Sequence, residues 1–171
     1  AGGQLVGLAG TSCGQSYGVT PERLGPKLAA QTDCPASVVA WYGVFDMTGA
    51  VPVGANVQPA QANPAAPASR YLGCVASQCP DQAKSASAVA YIDAADPEVL
   101  LLHGDADRVV SVEQSRVFDR ALKAAGVKST LVVLPGVDHS MVGPTPAVTQ
   151  NAIDKSMAAT LSFFNRTLRG R

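Results

Sequence analysis

The sequence carries no excess charge, few histidines and no long apolar run. Thirteen Lys and Arg offset thirteen Asp and Glu, so nothing in the balance calls for a polyanion or a charged membrane surface. Nucleic-acid binding falls to the bottom of the functional classes. The longest apolar runs, such as Val99–Leu102 and Leu131–Leu134, are far shorter than the roughly 20 residues of a spanning helix, so no membrane span is expected. There is no Cys-x-x-Cys, and only two histidines are present. No metal site is expected on that donor set, and no cofactor motif stands out. No internal repeat and no secretory signal are visible. The chain begins at Ala1 rather than Met, so a preceding portion, removed or not included, is expected.

What is present suits one α/β domain. The chain has 171 residues, of which 47% are hydrophobic, enough to bury a real core. Ser37–Tyr42 reads as a buried strand, mixing β-branched and aromatic residues. Glu98–His103 is a second, continuously apolar strand, and Thr130–Leu134 is a third. Such runs suit a parallel sheet covered on both faces. Gln4–Ala9 is apolar and open to either helix or strand. Ser111-Val112-Glu113-Gln114 resembles a capping box that opens a helix. Val117, Phe118, Ala121, Leu122 and Ala125 form its stripe, and Gly126 is placed to stop it. A last helix is predicted to bury Ile153, Met157, Leu161, Phe164 and Leu168. The order of elements implies right-handed crossovers. Between the first two strands, residues 51–69 are rich in Pro, Ala, Gln and Asn without periodicity. They read as an irregular surface loop or, functionally, as a cap segment.

Four cysteines permit three full pairings. Cys74 and Cys79 are close enough to close a small loop. Cys13 follows a predicted helix and Cys34 precedes a strand, so Cys13–Cys34 is the favoured second pair. Buried free thiols are the alternative. Oxidised pairs would point to a secreted or periplasmic protein, and free thiols to a cytoplasmic one.

The chemistry-bearing residues lie after consecutive strands. Asp107, in His103-Gly104-Asp105-Ala106-Asp107, follows the second strand, and His139, in Pro135-Gly136-Val137-Asp138-His139, follows the third. The carboxyl edge of a parallel sheet is where ligands and catalytic groups collect. An Asp there can orient a His, which then acts as general base. Taken singly, each residue has a structural reading, and Asp105 is an alternative partner. His103 reads as structural, and Asp138 is expected to point elsewhere.

On these stretches, together with Val39–Asp46 and Tyr71-Leu72-Gly73, the chain resembles the serine esterases and lipases of the α/β-hydrolase superfamily. It looks closest to the hormone-sensitive-lipase-like and small acetyl-xylan or feruloyl-type branches. The resemblance implies the C-terminal portion of an α/β-hydrolase fold, about three parallel strands with flanking helices, acting on a small carboxylic ester. In the family pattern the second Asp of His-Gly-x-x-Asp is the triad acid, here Asp107. The His after the Pro-Gly turn is the base, here His139.

Two places compete for the nucleophile. Gly10-Thr11-Ser12-Cys13-Gly14 formally matches Gly-x-Ser-x-Gly, but that motif needs a following helix, and Gly18 and Pro21 oppose one. The family nucleophile is commonly followed by Ala-Gly-Gly and an apolar helix, which is how this chain opens. The serine is therefore expected immediately before Ala1, with Ser12 about 18 Å away along the helix at 1.5 Å per residue. A small complete esterase using Ser12 is the alternative. A catalytically silent α/β folding or interaction module is the alternative of another class. Without preceding strands one sheet edge would be bare, so pairing with a second copy or a missing N-terminal segment is expected.

Overall fold

The structure is a computed structural model that describes residues 1–14, 34–51, 64 and 66–169. Three strands, β1 (Ser37–Trp41), β2 (Glu98–Gly104) and β3 (Ser129–Leu134), form one parallel sheet in the order β1-β2-β3. The helices are α1 (Gly2–Thr11), α2 (Pro67–Leu72), α3 (Pro80–Ser85), α4 (Glu113–Ala124) and α5 (Pro146–Leu168). The ambiguous apolar opening is thus helical. The final residues of the Pro/Ala-rich stretch start α2, with Pro67 in its first turn, where a missing N–H costs nothing. Positions 52–63 and 65 of that stretch, and Gly18 and Pro21, lie outside the described residues.

Strand β2 is central and buried on both sides, which is why its sequence is uninterruptedly apolar. Val38, Ala40, Val99 and Leu101 face one core with Phe45, Phe118 and Leu122. Within it, the Phe45 and Phe118 rings stack at 4.3 Å. Leu100, Leu102 and Leu134 face the other core with Met141, Ala152 and Phe163. Helix α1 packs on β1 through small residues. A Cβ on Gly3 would strike the Trp41 carbonyl, one on Gly7 would lie 2.7 Å from the Phe45 ring, and one on Gly10 would lie 2.7 Å from Val38 Cγ2. The helix therefore runs opposite to β1, with its N-terminus at the carboxyl edge of the sheet.

Two sequence-based expectations are corrected. The predicted stripe of the last helix is mostly on its outer face: Ile153, Met157, Leu161 and Leu168 are exposed, while Phe164 is partly buried. The sheet receives Ala152, Ser156 and Phe163 instead. Two apolar rows lie one residue out of phase on this helix, and the row with smaller side chains lets the helix approach. Thr145 caps it by accepting from Val148 N, with Pro146 following.

The second correction concerns the capping box. Helix α4 begins at Glu113 without a side-chain cap. Gln114 does not fold back on Ser111. It reaches across the molecule, where Oε1 accepts from Phe45 N and Asp46 N, both at 2.9 Å. Its Nε2 donates to Asp46 O at 3.0 Å and to Val51 O at 3.3 Å. The far end of α4 follows expectation, with Gly126 left-handed at φ 85.

Gln114→Leu should lower stability by about 2–4 kcal/mol, because two buried amides lose their acceptor. Urea denaturation of the variant against the parent measures it.

Both favoured cysteine pairs, Cys13–Cys34 and Cys74–Cys79, are joined. The first ties the end of α1 to the approach to β1. It closes a span of 21 residues, a loop size for which chain entropy gives about 3 kcal/mol. Thiol titration of denatured, unreduced chain should find no free thiol. Cys13→Ser/Cys34→Ser should lower the unfolding free energy by about 3 kcal/mol.

Candidate active site

The carboxyl ends of β2 and β3 lead into two adjacent loops, one bearing Asp107 and the other His139. They are held together by more than strand pairing. Asp105 N donates to Leu134 O and Ala106 N to Val137 O, both at 3.1 Å. Gly104 lies so close to the Val137 carbonyl that a Cβ could not be accommodated. Asp105, the alternative partner, does not meet His139. Its Oδ1 accepts from Gly136 N at 2.7 Å and fixes the Pro-Gly turn. Asp138 does point elsewhere: it accepts from Arg108 N at 2.9 Å and from Arg108 Nε at 2.6 Å. The Arg108 amide, the His139 amide and the guanidinium hold the Asp138 carboxyl down to about 2. Asp105 and Asp138 are thus braces between the two loops, roles that need tertiary proximity and leave no local signal.

Within this frame His139 Nδ1 lies 2.8 Å from Asp107 Oδ2. Asp107 is 4% exposed, and its Oδ1 accepts from Val109 N and Val110 N, each at 2.8 Å. The acid is therefore buried, ionisable and hydrogen-bonded on both oxygens. An ionised carboxylate accepts only, so Nδ1 of His139 carries the proton and Nε2 is left as the base. The imidazole packs against Tyr42, ring centroids 4.6 Å apart. Among the described residues the non-glycine positions with positive φ are Tyr42, Ser140 and Met141. All three adjoin this histidine, where strained backbone of this kind is held by the surrounding fold.

His139 borders a cavity of about 240 Å³ shared with Ala1, Gln4, Tyr42, Val44, Met47, Ala66, Pro67, Tyr71 and Val109. Its lining is mainly apolar, and the N-terminus of α1 opens into it. Ser12 is not among these residues. It sits at the opposite end of α1, 3% exposed, with Oγ donating to Leu8 O at 2.6 Å. The structure brings Asp107 and His139 together and leaves Ser12 apart from them.

His103, read as structural, is fully buried and adjoins the pair, with Nε2 3.3 Å from Asp107 Oδ2. That distance alone would suit an ion pair, but burial lowers the imidazole's proton affinity more than Val110 O and Asp107 raise it. The imidazole is therefore neutral, with its Nε2 hydrogen bond made to Val110 O at 2.9 Å and the carboxylate in close contact beside it. Among the described residues no group of three or more His, Cys, Asp or Glu is arranged to hold a metal ion. No described helix is long and apolar enough to cross a membrane.

The three-strand parallel sheet with flanking helices is part of the α/β-hydrolase fold seen in solved esterases. The BD-FAE family model matches residues 1–122, and the chain belongs to that α/β-hydrolase-like family. It is 28% identical over 141 residues to Esterase LipQ of Mycobacterium tuberculosis, covering 82% of this chain and 31% of that protein. It is similar to a truncated form of a carbohydrate esterase from gut microbiota, at 28% identity and TM-score 0.66, covering 97% of this chain and 56% of the other. A bifunctional GH43-CE protein of Bacteroides eggerthii matches at 29% identity and TM-score 0.71, covering 97% and 20%. The chain therefore spans about a third of the curated relative's length.

A sign follows for acid stability. A histidine whose folded proton affinity is lowered favours the unfolded state once that state binds the proton. The contribution of His103 is thus fully present above the ordinary histidine pKa of about 6.5 and is lost as pH falls below it. Unfolding free energy should decline from pH 7 to 5, and the decline should be shallower in His103→Gln. Urea titrations at stepped pH read both slopes.

Proposed function

We propose that this chain is the acid- and base-bearing part of a carboxylic ester hydrolase that works by a Ser-His-Asp mechanism. The observation that carries the proposal is the 2.8 Å contact between Asp107 and His139, with His139 bordering the cavity. In this reading a serine Oγ gives its proton to His139 Nε2 as it attacks the ester carbonyl. Asp107 stabilises the imidazolium without taking the proton. His139 then protonates the departing alcohol, leaving an acyl-serine, and the same group activates water to release the acid.

The serine is proposed to be the residue immediately upstream of Ala1. Ala1 shares the cavity with His139. Helix α1 directs its N-terminal amides there, where they would stabilise an oxyanion. Ser12 supports this role poorly, because its hydroxyl is buried and bonded to its own helix. The mainly apolar lining favours a small, uncharged ester. The outer edge of β1, unpaired among the described residues, and the exposed row Ile153, Met157 and Leu161 are the surfaces that an N-terminal segment or a second copy would cover. The two disulfides favour a secreted or periplasmic location.

An active-serine phosphonate should leave Ser12 unlabelled, and Ser12→Ala should hydrolyse p-nitrophenyl acetate as fast as the parent chain. Labelling at Ser12, with loss of turnover in an intact Ser12→Ala fold, would restore Ser12 as the nucleophile. A codon other than serine directly before that of Ala1 would remove the proposed one. In protein carrying that serine, His139→Ala or Asp107→Asn should lower kcat by roughly 10³–10⁴-fold.

A further inference from the structure

His103 has no exposed surface, and the chemistry proposed above does not use it. Its ring is nevertheless bonded at both nitrogens. Nδ1 is 2.7 Å from Ser115 Oγ, on the first turn of α4, and Nε2 is 2.9 Å from Val110 O and 3.3 Å from Asp107 Oδ2. A carbonyl oxygen and an ionised carboxylate can only accept, so Nε2 carries the hydrogen. Nδ1 is then the acceptor, and the Ser115 hydroxyl donates to it. Burial and the neighbouring His139 oppose a second proton, outweighing Val110 O and Asp107, which favour it. His103 is held as a neutral donor of fixed orientation.

The sequence contains two histidines, and both meet the same oxygen. Asp107 Oδ1 is taken by the amides of Val109 and Val110, while Oδ2 faces His103 on one side and His139 on the other. We propose that His103 is a positioning residue for the acid–base pair: its Nε2–H, bonded to Val110 O and facing Asp107 Oδ2 at 3.3 Å, gives that oxygen a fixed positive edge to lie against and keeps it aimed at His139 Nδ1. Ser115 sets the tautomer that makes this possible. A hydroxyl donating to Nδ1 puts the ring hydrogen on the nitrogen facing Asp107. Helix α4 thereby fixes the orientation of the base through two intervening side chains. The purpose of this arrangement rests on the reading of His139 as the base, but its existence does not, and imidazole spectra test it without turnover.

The experiment is ¹⁵N–¹H NMR of the imidazoles in the chain as it stands, with the spectrum of His103→Gln assigning His139. His103 should remain the neutral Nε2–H tautomer at the pH where an ordinary histidine titrates, about 6.5, and His139 Nδ1–H should give a slowly exchanging, low-field signal. His103→Phe keeps a ring but removes both nitrogens. His139 Nδ1–H should then exchange roughly tenfold faster, the scale of one lost hydrogen bond to a charged group. His103→Gln, whose amide can donate to the same oxygens, should restore most of the protection. Ser115→Ala should mix the His103 tautomers and loosen His139 in the same sense. An unchanged His139 signal in His103→Phe, or equal losses in the Phe and Gln variants with circular dichroism intact, overturns the proposal. If His103→Phe fails to fold, an unchanged His139 signal in Ser115→Ala overturns it. Protection that follows His103, found together with no esterase activity in protein that carries the upstream serine, would overturn the functional reading and leave this one standing.

Discussion

The Asp107 carboxylate has almost no contact with water, and a charge so placed persists only if the protein replaces its hydration. Its replacement comes from two backbone amides of its own turn and from the His139 imidazole, with His103 Nε2 close by at 3.3 Å. Each donor needs its own support. The amides require the tight turn after Gly104, His103 requires Ser115 and therefore α4, and His139 requires the β3 loop to lie against the β2 loop. The braces Asp105–Gly136 and Arg108–Asp138 meet the last requirement. Much of the architecture at the carboxyl edge can be traced outward from this one buried anion.

Helix α4 carries an unusual share of that support. Consecutive residues on its first turn serve different parts of the molecule: Gln114 anchors the segment leaving β1, and Ser115 anchors His103. The segment held by Gln114 contains Met47, and Val44 directly precedes it; both border the cavity. One helical turn thus locates a cavity wall and, through His103, the surroundings of Asp107 together. This is a reason for the stacked Phe45 and Phe118 beneath it to be fully buried, since a loosely packed helix would blur both positions.

The strands and the meeting of Asp107 with His139 were legible because their signals are local. β2 shows as an apolar run, and Asp107 and His139 follow strand ends within a few residues. Both cysteine pairs agreed with element order. What sequence reading missed depends on partners remote in the chain. Gln114 looked like a cap because Ser111 lies three residues before it, while its actual partners are more than sixty residues away. The last helix has two adjacent apolar rows, and hydropathy cannot say which one a sheet will accept. Packing selected the row with Ala152 and Ser156, whose short side chains permit closer approach. His103 was read as structural from its strand position. Its relation to Asp107 depends on how the following turn folds back.

Helix α1 meets the sheet without side chains in the way. At Gly3, Gly7 and Gly10 the interface consists of backbone set directly against Trp41, Phe45 and Val38, while Leu5 and Val6 face outward. A contact made of absent atoms acts as a mechanical stop: it defines a nearest distance and, on the helix side, has no rotamers through which to relax. The height of the helix above the sheet, and with it the position of the amides opening into the cavity, is set by helix backbone resting on the Trp41 carbonyl, the Phe45 ring and the Val38 side chain. Tolerance to substitution should therefore be one-sided along this helix. Its outer face can drift in sequence without moving the cavity, whereas a single methyl group on the inner face would lift the whole rod.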